Sequence, residues 1–332
     1  MTVNFDMKIA YLIITHNQPE HLLRLVKALN SDQAVCFIHV DLKSDISHFS
    51  SLISEPKVIF LDDRVSVNHG GFSLTQSMIN LLQVASESGH FDYFVFLSGY
   101  DYPIKDDLYI QRFFQQNYPT NFINFYPLIK GSDQVTNINN YHFVDLLEYQ
   151  PRFLKKPLPR IFRKPFYALY YALRWILPER RFLQRLTPYR GSQWFSLNRE
   201  TVEYILNFLK TREGFKYKNF FKYVWGSDEI FFQTLVLNSE YATQCRYYAR
   251  DILHSIRFMK NENKAYLHYI DWSKRRENPA ILDMRDLQKL RESEFLFARK
   301  FSEKLSKELL DFIDREILNS RQSLLKNQNI EQ

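Results

Sequence analysis

Glycine is scarce in this chain, at 8 of 332 residues. Neither GxGxxG nor GxxxxGKS/T can be read anywhere in it. Those loops let backbone N–H groups close on a pyrophosphate, so their absence speaks against a Rossmann dehydrogenase or a P-loop NTPase. Cysteine is scarcer still. Cys36 and Cys245 stand far apart, Cys36 within an apolar run, and both read as buried free thiols, not as a disulfide scaffold. The nine His form no HExxH and no Cys/His cluster, so no zinc site is expected. Long hydrophobic runs are missing too. Phe166–Leu177 is the longest nearly apolar stretch, and Arg174 interrupts it; a membrane-spanning helix needs about 20 residues. Met1–Met7 has no basic stretch leading into an apolar one, so no signal peptide is expected. The expectation is a cytoplasmic protein, with peripheral attachment to the inner face of a membrane as an option.

What is present is aromatic and unevenly charged. The 29 Phe and 21 Tyr dominate a 16% aromatic content, which suits a bulky core or a sugar-stacking cleft. At 45% hydrophobic the chain can bury a sizeable core. The net charge of +7 is concentrated: between Pro151 and Arg190 eleven Lys/Arg face one acid, Glu179, and the remainder is slightly acidic. Nine aromatics, from Phe153 to Tyr189, interleave with those charges. Two readings fit this segment, a face lying on an anionic bilayer and an acceptor-site insertion with a solvated basic surface.

The first hundred residues have a regular rhythm. Lys8–Thr15 reads as a buried strand, Pro19–Leu29 as an amphipathic helix, Val35–Val40 and Val58–Leu61 as strands, Leu74–Ala85 as a helix and Tyr93–Leu97 as a strong strand. Strands alternating with helices predict an α/β domain with a mainly parallel sheet. Each strand ends in polar residues: Thr15-His16-Asn17, Asp41-Leu42-Lys43, Asp62-Asp63 and Ser98-Gly99-Tyr100-Asp101. Ligands of such sheets sit beyond the carboxyl ends of the strands, so four polar tips together favour a site there. Further on, Asn121–Tyr126 and Gly191–Leu197 read as strands and Arg199–Leu209 as a helix. Tyr247–His254 and Tyr266–Trp272 read as extended pieces, and Met284–Leu325 has helical spacing.

Val224–Leu237 (VWGSDEIFFQTLVL) places two acids before an apolar, helix-compatible run. Ser227 can cap that helix, and Asp228 and Glu229 suit its first turn. Beside this ordinary reading stands a sharper one, in which Glu229 is a fixed carboxylate able to accept a proton. No Asp-x-Asp occurs, the triplet with which many nucleotide-sugar transferases hold a cation on the diphosphate. A diphosphate bound here would be met by Arg, Lys or helix N-termini.

Eight segments, in order, resemble the core-2/I-branching β-1,6-N-acetylglucosaminyltransferases, a family that also holds peptide O-xylosyltransferases. They are IAYLIITHN (9–17), HVDLK (39–43), HGGFSL (69–74), FDYFVFLSGYDYPI (91–104), GSQWFSLNRETVEYIL (191–206), WGSDEIFFQTLVLNS (225–239), YIDW (269–272) and LFARKF (296–301). The resemblance implies a GT-A-like α/β fold with a mixed, mainly parallel central sheet and C-terminal helices. One transferase domain would cover 8–302, with a nucleotide-binding half (8–130), the basic insertion (151–190) and an acceptor and catalytic half (191–302). A C-terminal helix and tail (303–332) would follow.

The implied activity is inverting, metal-independent transfer from a UDP-sugar to a glycan or glycolipid acceptor, with no cofactor. N-acetylglucosamine is the expected sugar and xylose the alternative. The family's catalytic base falls on Glu229, and a phosphate-binding Lys on Lys300, which read without the resemblance is a solvated helix charge. Arg275 and Arg276 are the candidates for a second cationic contact, with Arg285 behind them. The nucleotide would meet Ile14, Thr15, His16, Asp41 and Lys43, with His69 and Gly70 lining the same pocket. His69 stands where the family usually has Trp, and Tyr100 where Gln or a small polar residue is usual. Asp101, Gly191, Ser192 and Trp194 would border the sugar and acceptor, Trp194 reading equally as a core residue. Asp228 is assigned orientation, not proton transfer. A nucleic-acid-binding reading of residues 151–190 leaves the strand tips unexplained, so no nucleic-acid partner is expected.

Overall fold

The structure is a computed structural model that describes residues 7–128, 135–147, 168, 170, 172, 176–183, 186–246, 266–273 and 279–318. Its strands are β1 (Ile9–Thr15), β2 (Ala34–Val40), β3 (Val58–Phe60), β4 (Tyr93–Ser98), β5 (Asp101–Pro103), β6 (Tyr126–Pro127), β7 (Tyr189–Arg190), β8 (Ser196–Asn198), β9 (His268–Ile270) and β10 (Phe297–Arg299). The central sheet runs β3-β2-β1-β4-β8. All neighbours are parallel except β8, which is antiparallel to β4. This is the mainly parallel α/β sheet that the strand–helix rhythm predicts, and β8 makes it mixed, as the resemblance implies.

The strands of this sheet are near-continuous apolar runs because both faces are covered. Successive side chains point to opposite faces. Ala10, Leu12, Phe37, Phe94 and Phe96 enter one core, shared with the helices Phe72–Ser88, Arg199–Leu209 and Phe231–Leu237. Ile9, Tyr11, Ile13, Ile38, Tyr93, Val95 and Leu97 enter the other, under the helices Pro19–Leu29, Asp107–Asn117 and Lys307–Phe312. Chain beyond 302 belongs to this second core through Leu309, Leu310 and Ile313. Arg24 ties it down by ion pairs to Asp311 and Asp314, each at 2.7 Å, and Tyr102 donates to Asp314 at 2.6 Å.

Pro19–Leu29 begins with Pro at its first turn, where the missing N–H costs nothing. Asn198 ends β8 and caps Arg199–Leu209, accepting from Thr201 N at 2.9 Å.

Three expectations change. The strand read at Gly191–Leu197 is confined to Ser196–Asn198, because the residues before it turn aside to bond Glu229 and Gln233. Asn121–Tyr126 contributes isolated bridges from Asn121 and Phe122, and pairs as a strand at Tyr126–Pro127 alone. The helical spacing from Met284 conceals β10, which lies between β5 and β9 in a three-stranded sheet; cross-strand pairing there overrides a weak helical pattern.

Tyr247–His254 and most of 151–190 lie outside the described residues. No helix among the described residues is long and apolar enough to cross a membrane.

Candidate active site

β1, β2 and β4 deliver their carboxyl ends to one edge, and backbone bonds knit the tips together. Asp41 N donates to Thr15 O at 2.8 Å and Gly99 N to Ile14 O at 3.0 Å. Thr15 is buried, and a Cβ at position 99 would stand 2.2 Å from its Oγ1, so glycine is needed for the two tips to meet. Asp41 accepts from Lys43 N at 2.9 Å and pairs with Lys43 Nζ at 3.6 Å. That ammonium also donates to Val67 O and, at 3.2 Å, to Asn68 Oδ1. His39, buried beneath, accepts from Val65 N at 2.8 Å, and burial drives its pKa down to about 4. His16 is exposed, held by a bond from Ser44 Oγ to its carbonyl at 2.7 Å, with its ring 5.7 Å from that of Tyr100. Burial lowers the His16 pKa; Asp41 opposes this, while Lys43 and Lys300 reinforce it.

The Trp225–Leu237 unit is not the single capped helix that its pattern suggests. Ser227–Glu229 forms a 3₁₀ turn, Ile230 leaves helical geometry, and Phe231–Leu237 then resumes as α-helix. The Ser227 hydroxyl does not cap; it meets Thr75 Oγ1 at 2.7 Å in the core. Gly226 enters the turn with φ 67° and donates to Gly70 O at 2.9 Å. Gly70 itself has φ 75°, and a Cβ there would stand 2.7 Å from Trp225 Nε1. The His69-Gly70-Gly71 loop therefore docks on the turn backbone to backbone.

The two acids of the turn have unlike surroundings. Glu229 keeps 35% of its side chain exposed and pairs with Arg190, whereas Asp228 is buried. Burial, and next the Glu229 charge, raise the Asp228 pKa to about 7. Glu229 O accepts from Gly191 N at 2.8 Å. Gly191 has no room for a side chain, since its Cβ would fall 1.7 Å from Asn124 O. Ser192 continues the segment, accepting from Gln233 Nε2 at its carbonyl (2.7 Å) and from Trp194 N at its hydroxyl (3.3 Å).

Trp194 leaves 5% of its surface exposed and lies over the Arg299 guanidinium at 4.2 Å, with the His268 ring at 5.4 Å. Both neighbours face Asp101, which is fully buried. Its carboxylate accepts from Ser98 N (2.7 Å) and Ser98 Oγ (2.8 Å), with Arg299 Nε at 3.2 Å and His268 Nε2 at 3.4 Å. Burial pushes the Asp101 pKa up, but Arg299 and His268 outweigh it and hold the carboxyl below its ordinary range. Lys300 follows directly. It is no helix charge: pairing of β10 with β5 brings it to the β4 tip, with Nζ 4.6 Å over the Tyr100 ring. It makes no ion pair among the described residues.

These contacts close a ring around the sheet edge. From Glu229 it runs through Arg190–Trp194 to Arg299 and Lys300, then through Tyr100 and His16 to Asp41 and Lys43. The loop 67–71 returns it to Gly226. Ile14, Thr15, His16, Asp41, Lys43, His69, Gly70, Asp101, Gly191, Ser192, Trp194, Asp228, Glu229 and Lys300 all lie on it. Arg275 and Arg276 lie outside the described residues, and Arg285 is exposed and chelated by Asp283 at 2.8 Å. Sequence reasoning missed Arg190, Asn68 and Arg299. Arg299 stood inside LFARKF, but a helical reading hid its position. Among the described residues no three of His, Cys, Asp and Glu are grouped to hold a metal ion.

The profile of one family, described as Core-2/I-Branching enzyme, matches residues 9–291. Among curated proteins the chain is similar to a xylosyltransferase of Ciona intestinalis, 26% identical over 332 residues, covering 95% of this chain and 35% of that one. Xylosyltransferase 2 of Homo sapiens is 28% identical over 330 residues, 95% of this chain and 34% of its own. Xylosyltransferase 1 of Homo sapiens is 27% identical over 323 residues, 93% of this chain and 30% of its own. The chain thus spans about a third of the length of these relatives.

Proposed function

The chain belongs to the Core-2/I-Branching enzyme family, and from that premise we propose that it is an inverting glycosyltransferase. It would move a sugar from UDP to a glycan hydroxyl without a divalent cation. The observation that supports this best is the closed ring, which sets one partly exposed carboxylate, Glu229, and one ammonium with no ion pair among the described residues, Lys300, around a common strand edge.

Inversion needs a base on the acceptor side. Glu229 takes the hydroxyl proton as the new C–O bond forms at the anomeric carbon, while the bond to UDP breaks on the opposite face. Arg190 pairs with the carboxylate and orients it. Lys300 offsets the charge that develops on the departing diphosphate, and Asp41 and Lys43 border the nucleoside. Arg299 is committed to Asp101 and serves the wall, not the phosphate. Asp228 keeps the turn in place. Family resemblance favours N-acetylglucosamine as the sugar, and the curated relatives are named for xylose.

A thermal-shift panel of UDP-sugars without metal separates the two donors. Glu229→Gln should lower transfer by about 10²–10⁴-fold with the UDP-induced shift intact. Turnover retained in that variant would remove Glu229 from the base role. Activity lost in EDTA and restored by Mn²⁺ would overturn the metal-free mechanism.

A further inference from the structure

A cavity of about 860 Å³ opens behind the strand tips, lined among others by Leu42, Arg64, Asn68, Phe143, Asp145 and Tyr223. Its size lies within the range of ligand pockets. Leu42 faces it, whereas its neighbours Asp41 and Lys43 are tied to each other on the nucleotide side. Asn68 is the shared wall: its Oδ1 accepts from Lys43 at 3.2 Å, and its Nδ2 donates to Asp145 at 3.1 Å.

The charges in the cavity do not cancel. Asp145 also accepts from Ser73 N (2.8 Å) and Ser73 Oγ (2.6 Å). It thus sits at the N-terminus of the 17-residue helix Phe72–Ser88, whose unpaired N–H groups and dipole satisfy it. Two cations of the lining, Arg64 and Lys222, make no ion pair among the described residues, although Asp45 feels the Arg64 charge. Arg64 is steadied instead by Ser44 O at 3.1 Å and Asp41 O at 3.4 Å. Phe143 and Tyr223, 5.3 Å apart and nearly perpendicular, add aromatic faces on which the C–H face of a pyranose ring can stack.

Aromatic faces with two cations that make no ion pair among the described residues, against the one carboxylate of the lining, Asp145, already held by Ser73 and Asn68, point to a ligand that is both sugar and anion. We propose that this cavity binds the acceptor, and that the acceptor is an acidic oligosaccharide carrying uronate carboxylates. The assignment rests on the glycosyltransferase reading above, so its test keeps the two apart.

The probes are a tetrasaccharide alternating N-acetylglucosamine with glucuronate and its carboxyl-reduced neutral counterpart, assayed with the UDP-sugar that stabilises the protein. UDP release to water without acceptor is measured alongside. Wild type should prefer the acidic tetrasaccharide by about tenfold in kcat/KM, the discrimination expected of one well-placed charge contact. Lys222→Glu, at an exposed position, should abolish that preference and leave UDP release unchanged. Leu146→Trp, at a rim residue 73% exposed, should lower transfer to both acceptors. Equal use of the two tetrasaccharides, transfer to neither, transfer to an acidic peptide in their place, or a preference unchanged in Lys222→Glu would each overturn the proposal. A wild-type protein that neither binds UDP nor releases it from any UDP-sugar would overturn the glycosyltransferase reading itself.

Discussion

Asp101→Asn removes one charge from an ion pair whose acid is wholly enclosed. The amide oxygen can still accept from Ser98 N, so what is lost is chiefly electrostatic: the Arg299 guanidinium, 16% exposed, is left without its counter-charge. Breaking a buried pair by removing one partner costs about 3–5 kcal/mol. With an unfolding entropy of about 2.1 cal/mol/K per residue, a chain of 332 residues should lose about 4–7 °C in Tm. The assay is urea and thermal unfolding, followed by far-UV dichroism and by tryptophan fluorescence, since Trp194 lies on Arg299. Arg299→Met should also destabilise, and the double variant should fall short of the summed losses by at least about 1 kcal/mol, because the two charges couple directly. The Asp101 pKa is depressed in the folded state. Its contribution is therefore present above the ordinary carboxylate pKa and lost as pH falls through the lower value, so the deficit of the variant should shrink toward pH 3. A Tm change under about 1 °C at pH 7, or strictly additive single variants, would refute the reasoning.

Three further outcomes follow from burial and close packing. His21 and His39 are held neutral by burial, each with a pKa of about 4. Their contribution is present above the ordinary pKa of 6.5 and lost as pH falls toward 4, at up to about 3 kcal/mol each; urea midpoints between pH 7 and 4.5 should drop, and His39→Gln should flatten the slope. Asp228 is the opposite case, a carboxyl whose folded pKa is raised to about 7, so its ionisation destabilises the fold as pH rises from about 4 to 7. Asp228→Asn should raise the unfolding midpoint at pH 8 and change it little at pH 4, and a loss at pH 8 would contradict the burial argument. Gly191→Ala places a methyl 1.7 Å from Asn124 O and should cost about 1–3 kcal/mol. Because Gly191 N bonds Glu229 O, transfer should fall further than stability loss alone explains, as read from activity well below Tm.

The parts of the fold visible in the sequence were those carried by strong local patterns. β1, β2 and β4 are long apolar runs, and Pro19–Leu29 and Arg199–Leu209 are amphipathic helices with clear starts. β10 is three residues of an antiparallel pairing across nearly two hundred positions, and no window around Phe297 records that partner. For the same reason Arg299 and Lys300 could be placed by resemblance but not by pattern. Ser227 shows the complementary failure: a good capping residue in a good context, drawn into the core by Thr75, a residue 152 positions away. Arg190 precedes a recognisable segment without belonging to it, and its pairing with Glu229 depends on where that segment turns.

Much of the ring around the strand edge is made by main-chain atoms: Gly226 N to Gly70 O, Gly191 N to Glu229 O, Asp41 N to Thr15 O, Gly99 N to Ile14 O. Such contacts are indifferent to side-chain identity wherever the local backbone can still be reached. Sequence drift at most of these positions would leave the carboxylate where it is, with the demand for glycine concentrated at 70 and 226, where φ is positive, and at 99 and 191, where another chain segment lies too close. An edge wired in this way keeps its geometry while exposed side chains on its rim vary, and relatives 26–28% identical are what such tolerance would allow.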